Sequence, residues 1–275
     1  MFEQKKYKCS LIIPCWFTKD QHGRYGQHET YFFAQKCLER ILEYRKDEDG
    51  MEIILIDNGS SLDDGDIPKE WMPVSKFWGH ADILIKNKFN LGFGPAVNQG
   101  VYVAMGEYII QMNDDIIVFP NWLDSILEVF KHDELKPPVG VVMPNLIKKE
   151  FQNDCLNDSG RLDVFKVIDL PAEKVVLRNE GVYEPGAEFG SLWCMKKNLS
   201  DRLIKEDGFF FDPQFLMGMS EDRDLWKRVR VAGFETYRTN LTRVGHVGNC
   251  SVGKIKDRKQ YTEVNREKLA KKWNK

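Results

Sequence analysis

Four short, almost purely apolar runs constrain this chain most: Cys9-Ser-Leu-Ile-Ile-Pro-Cys15, Glu52-Ile-Ile-Leu-Ile56, Ile83-Leu-Ile85 and the stretch 107–112. A strand with one wet face alternates apolar and polar side chains, whereas a strand covered on both faces reads as a continuous apolar run. Helical patterns separate the runs. Phe33, Cys37, Leu38, Ile41 and Leu42 recur at helical spacing within 30–44, and a second helix is expected over 95–105. Such alternation predicts the α/β class, a Rossmann-like, wound and mostly parallel sheet flanked by helices. Pro14 is expected to close the first strand. The strand ends at Pro14, Asp57 and Asn113 should then share one edge of the sheet, where α/β proteins bind ligands.

The second half is less regular. A helix is expected over 122–131, a strand over 140–144 and a hairpin excursion over 147–188. A further helix over 221–232 would place Leu225, Val229 and Ala232 on one face, and Tyr237 and Val244 mark two more short strands. Without a repeat or a low-complexity linker, the pattern predicts one domain with an elaborated C-terminal half.

Composition limits the function classes. Of 275 residues, 42% are hydrophobic and 30% charged, a soluble balance with net charge −2, which gives no global case for binding nucleic acid. The charge is uneven. Residues 254–275 carry nine Lys/Arg against three Asp/Glu, a local +6 that leaves −8 on the remainder. Six cysteines without a CxxC pair argue against zinc and a disulfide framework. No apolar stretch reaches the ~18 residues of a membrane span, so a cytoplasmic protein is expected, with peripheral membrane contact open through the basic tail.

Several motifs could carry chemistry. Adjacent carboxylates in Asn113-Asp114-Asp115 repel unless a cation or solvent separates them, and as hard ligands they suit Mg²⁺ or Mn²⁺ that shares its shell with phosphates. A solvated turn uses the same residue types. Asp57-Asn58-Gly59-Ser60 offers a carboxylate to the N3–H of a uracil or thymine, or forms a plain turn. Asn90-Leu-Gly-Phe-Gly94 opens a helix whose N–H groups could meet a phosphate. It is neither GxGxxG nor a Walker A loop, which argues against a Rossmann dehydrogenase and a P-loop NTPase. Ser220-Glu-Asp-Arg-Asp224 suits a helix first turn, and also offers a general base. His246, flanked by Gly245 and Gly248, is a candidate metal ligand or phosphate contact, though a lone histidine is more often structural.

Taken in order from about Lys8 to Ser251, these motifs resemble the family 2 glycosyltransferases of GT-A fold. They are the Leu-Ile-Ile-Pro strand, Asp57-Asn-Gly-Ser60, Asn90 to Gly100, Ala104 to Ile110, Asn113-Asp-Asp115, Glu221-Asp-Arg-Asp-Leu-Trp-Lys-Arg228 to Phe234, and Val-Gly-His246. The Asp-Asn-Gly-Ser and Asn-Asp-Asp forms and the late histidine are closest to the rhamnosyl- and galactofuranosyltransferase-like branch. The resemblance implies an inverting, metal-dependent transfer of a sugar from a UDP- or dTDP-sugar to an acceptor hydroxyl. It places Pro14, Asp57, Asn90, Gly92, Asn98, Asn113 and Asp114 on the donor, with Asp57 at the pyrimidine. Asp115, Asp114 and His246 would hold Mn²⁺ or Mg²⁺, Asp222 would be the base, and Glu221 and Trp193 would lie on the acceptor side. Residues 1–253 would form the transferase domain, split into a nucleotide-sugar half (1–120) and an acceptor half (121–253), with 254–275 a basic helical tail.

Two departures stand out. Asn113 is an amide where the first acidic ligand is expected. Val97 stands where many relatives carry an Arg, so the cationic contact to the nucleotide is either missing or supplied by Lys86 or Lys88. The acceptor is a glycan, a lipid-linked or another hydroxyl; Phe189 could stack on a sugar beside Trp193, and only the basic tail favours nucleic acid. Two other classes compete: a nucleotidyltransferase, for which a Gly-rich triphosphate loop followed by Lys is lacking, and a non-catalytic nucleotide-sugar-binding module, against which Asp222 and Asp115 count.

Overall fold

The computed structural model describes residues 7–19, 22–23, 26–46, 50–147, 183–186, 190–248, 255 and 257–274. The expected excursion over 147–188 falls largely outside them, as do Phe189, Cys155 and Cys250. The first half follows the apolar runs: β1 (Cys9–Cys15), a two-stranded ribbon β2 (His22–Gly23) and β3 (Gly26–Gln27), α1 (Glu29–Tyr44), β4 (Met51–Asp57), α2 (Val74–Trp78), β5 (Ile83–Lys86), α3 (Phe93–Val103) and β6 (Tyr108–Met112). Next come β7 (Ile116–Ile117), α4 (Trp122–Glu128), β8 (Val139–Leu146), β9 (Tyr183–Pro185), β10 (Leu192–Lys196), α5 (Lys197–Asp207), α6 (Glu221–Val231), β11 (Glu235–His246) and α7 (Arg258–Trp273).

The central sheet runs β5-β4-β1-β6-β10-β8-β11-β7, with β9 also on β11. Its first four strands are parallel, β10 enters antiparallel between β6 and β8, and β8 and β11 are again parallel. Continuous apolar runs arise because each strand feeds two cores. Leu11, Ile13, Ile53, Leu55, Ile110 and Met112 point to a cluster under α1, α2 and α4. Their neighbours Ile12, Ile54, Ile56 and Ile109 join a second cluster under α3, α5 and α6. The period-2 alternation of a strand is present, but it separates two apolar faces and leaves no polar trace.

Three local expectations change. Pro14 does not close β1, which runs on to Cys15; pairing with β6 has stopped at Ile12↔Gln111, so an imino acid costs no rung on that side. Tyr237 and Val244 lie on a single twelve-residue strand, interrupted by a register shift between Thr239 and Arg243. The four apolar residues at the start of β10 carried no strand assignment, since a run so short does not distinguish strand from buried helix.

The sheet is tied internally by a buried polar chain. Ser10 Oγ donates to Glu52 Oε2 at 2.5 Å, while Gly106 N–H donates to Ser10 Oγ and Met105 N–H to Glu52 Oε2. A Cβ on Gly106 would lie 2.4 Å from the carbonyl carbon of Cys9 and the amide nitrogen of Ser10. Backbone cannot yield as a side-chain tip can. Gly106→Ala is therefore expected to cost about 2–3 kcal/mol in urea unfolding, at the upper end of overpacking penalties. A change within about 0.5 kcal/mol of wild type would show that β1 and the 105–106 turn are not held in this contact.

Candidate active site

The register brings three strand ends together. Cys15 pairs with Asp57 and Ile12 with Gln111, so the residues following β1, β4 and β6 emerge on one edge. A cleft of about 330 Å³ opens there, lined by Pro14, Trp16, Asn58, Asn90, Gly92, Asn113, Asp114, Asp115, Gly190, residues 217–219, Glu221, Asp222, His246 and Arg258.

Asp114 and Asp115 are buried at this edge. β7 follows them at once and pairs antiparallel with the end of β11, His246 opposite Ile116. That pairing carries His246 Nε2 to 3.3 Å from Asp115 Oδ1. The other oxygen, Asp115 Oδ2, accepts the Gly248 N–H at 2.9 Å. Asn113 is fixed differently: its N–H donates to Ser191 O, and its Oδ1 accepts from the buried Gln111 amide. Among the described residues no group of three or more His, Cys, Asp or Glu side chains is gathered as a metal set. A Mg²⁺ or Mn²⁺ ion that keeps waters and substrate phosphates in its shell needs only one or two carboxylates, which the adjacent Asp114 and Asp115 could supply, with His246 beside Asp115.

The loop before α3 is organised by Asn58. Its Oδ1 accepts from Leu91 N–H and Asn87 Nδ2, and its Nδ2 donates to Asn90 Oδ1 and Gly92 O. Asn90 Oδ1 also accepts the Gly92 N–H. Gly92 takes φ 92°, and a Cβ there would meet Met217 N at 2.9 Å, so its bare backbone serves contact with the opposite wall of the cleft.

That wall is the segment before α6. Met217, Gly218, Met219 and Ser220 all have positive φ (60°, 98°, 71° and 82°), three of them without glycine's freedom. Left-handed backbone costs an ordinary residue roughly 1–2 kcal/mol. α7 holds the segment in place: the buried Asn265 donates through Nδ2 to Leu216 O and Gly218 O, and Thr262 Oγ1 contacts Met219 Sδ. At the foot of α6, Asp224 is wholly buried between Arg228 Nε (3.0 Å), Lys272 Nζ (2.8 Å) and Trp273 Nε1 (2.8 Å). This frame presents Glu221 and Asp222 to the cleft. A Cβ on Gly190 would lie 2.6 Å from Asp222 Oδ2, so a side chain there would displace that carboxylate from its present position.

Glu221 is buried, and its Oε2 has no hydrogen-bond partner among the described residues. Burial, and then the charge of Asp222, push its carboxyl up to about 8. At neutral pH Glu221 is thus a hydrogen-bond donor beside the ionisable Asp222.

Some expected residues stand elsewhere. Asn98 is buried and spends both ends of its amide on Phe211, accepting from N–H and donating to C=O, so it clamps α3 to the 211 segment rather than touching the cleft. Trp193, on β10, is wholly buried against Phe210, Phe211 and Trp226, which leaves no ring face for a sugar. Asp57 does not line this cleft; its Oδ1 accepts the Ser60 N–H in a turn. Lys86 and Lys88 are exposed and are not among the lining residues. Missed by sequence reasoning were Asn58, Gly190 and Arg258. Asn58 sat inside a quoted motif, whereas Gly190 and Arg258 carry no local signal.

Residues 32–154 match the family model described as Glycosyl transferase family 2. This segment, a little under half of the chain, is that of a family 2 glycosyltransferase. The chain is 29% identical over 102 residues to an "Uncharacterized glycosyltransferase" of Haemophilus influenzae, covering 37% of this chain and 30% of that protein. It is 26% identical over 132 residues to "Glycosyltransferase GlyG" of Streptococcus pneumoniae, covering 48% and 38%. The chain thus spans about a third of the length of these relatives. The crystal structure of S. aureus TarS 1-349 shares the fold with TM-score 0.55 at 11% identity, over 96% of this chain and 72% of that one. The α/β architecture is accordingly that of a family 2, GT-A type domain. The family match ends before Glu221, Asp222 and His246, whose place in the cleft rests on the geometry.

The Glu221 shift has a sign. Between the ordinary carboxylate range and about pH 8 the folded protein holds a proton that the unfolded chain has released, so this group makes stability fall as pH rises through that window. Glu221→Gln should lose less thermal stability than wild type between about pH 5 and about pH 8. Parallel melting profiles for the two proteins would show that Glu221 ionises normally.

Proposed function

We propose that the family 2 domain transfers a sugar from a UDP- or dTDP-sugar to an acceptor hydroxyl by single displacement, with inversion at the anomeric carbon. One observation carries the reading: Asp114 and Asp115 from the turn after β6, His246 from β11 and Asp222 from α6 converge on one cleft at the carboxyl edge of the sheet. The acceptor oxygen forms its bond to the anomeric carbon as the bond to the diphosphate oxygen breaks. Asp222 takes the hydroxyl proton, a role that typically contributes about 10²–10⁴-fold. Glu221, still protonated, can donate a hydrogen bond to the acceptor or sugar beside it. Asp115 and His246 would hold Mn²⁺ or Mg²⁺ with Asp114 adjacent, and such an ion supplies charge neutralisation for the departing diphosphate. The acceptor is a glycan, lipid-linked or other hydroxyl.

The test is a panel of nucleotide sugars with Mn²⁺ or Mg²⁺, reading donor binding and diphosphate release. Asp222→Asn should lower turnover by about 10² or more while donor affinity stays near wild type. Joint loss of binding and turnover would make Asp222 structural. Asp115→Ala should abolish the metal dependence of donor binding, and undiminished wild-type activity in excess chelator would overturn the metal assignment.

A further inference from the structure

We infer that Arg258, brought to the cleft by the C-terminal helix α7, is the cation that faces the donor's diphosphate; this rests on the reading of the cleft as a nucleotide-sugar site. The cleft is lined by four acidic side chains, Asp114, Asp115, Glu221 and Asp222, and a diphosphate adds further negative charge. Among the described lining residues only His246 and Arg258 can offer positive charge, and His246 is engaged with Asp115. Of the candidates from the donor half, Lys86 and Lys88 are exposed and are not part of the lining, and residue 97 is a buried valine.

α7 delivers Arg258 by its register. Arg258, Thr262, Asn265, Lys268 and Lys272 succeed one another at three- or four-residue spacing and form one stripe. Every later member touches the segment beneath: Thr262 meets Met219, Asn265 the carbonyls of Leu216 and Gly218, Lys268 the carbonyl of Gln214, and Lys272 both Asp212 and Asp224. The first member therefore reaches the cleft mouth as a consequence of the docking. Unlike Lys272, the Arg258 guanidinium makes no ion pair among the described residues. A guanidinium on a residue that lines the cleft, without an ion-pair partner among the described residues, offers the planar fork of donors that bidentate contact to phosphate oxygens requires. The basic tail, which the sequence left open to membrane, acceptor or neither, becomes one wall of the donor site.

The experiment is calorimetric titration of the full chain with UDP, dTDP and GDP in Mg²⁺, each beside its nucleoside. Arg258→Ala should weaken the bound diphosphate by about ten- to a hundredfold and leave nucleoside affinity unchanged. Arg258→Lys should recover part of the loss, and Lys259→Ala, on the exposed neighbour, should behave as wild type. Should the alanine variant fail to fold, Arg258→Gln, which keeps the packed stem, serves the same comparison. Unchanged diphosphate affinity overturns the inference and leaves the nucleotide-sugar reading intact. Equal losses for diphosphate and nucleoside also overturn it, by making Arg258 a structural residue. Failure of the wild-type chain to bind any of the three diphosphates overturns the proposed function itself, and the inference with it.

Discussion

Burial of the central sheet on both faces is the constraint on which the rest depends. Residues of β1, β4 and β6 alternate between two helix-covered cores, so charged side chains have no place along the strands except in the internally bonded Ser10–Glu52 chain. Polar chemistry is pushed to the strand ends. Because β1, β4 and β6 are parallel and in register, their ends coincide, and Asp57, Asn58, Asn113, Asp114 and Asp115 collect at one edge. The site is a consequence of how the core is closed.

The opposite wall depends on charge rather than apolar burial. Asp224 sits without solvent, and an isolated carboxylate there would be prohibitive; Arg228, Lys272 and the Trp273 N–H together offset that cost. Two of those three groups come from α7. The same helix satisfies carbonyls of a left-handed segment that would otherwise be strained. Loss of α7 would leave both a buried charge under-compensated and the 217–220 backbone unsupported, so the C-terminal helix belongs to the architecture of the cleft.

Legibility in the sequence followed the range of the interactions. β1, β4, β5 and β6 could be placed to within a residue or two because each apolar run is self-contained, and α1 and α6 because their apolar residues repeat at helical spacing. Asn113-Asp-Asp115 could be placed at a strand end for the same reason. The insertion of antiparallel β10 between β6 and β8 was not legible, since strand partners separated by dozens of residues leave no periodic mark. Side-chain orientation was harder still. Asn98 and Trp193 are plausible ligand contacts by type, but whether an amide faces a cleft or Phe211 is set by the helix–sheet packing.

By itself the sequence determined the α/β class, the edge on which polar groups would gather and the residue types waiting there, because apolar periodicity and turn chemistry are local. Tertiary structure alone decided which groups meet. His246 reaches Asp115 through a two-residue strand pairing, Gly190 leaves room for Asp222, and Arg258 arrives on a helix held by the far side of the domain. Each depends on contacts between segments remote in the chain, and such contacts are set by how the two cores and the buried charges are satisfied together.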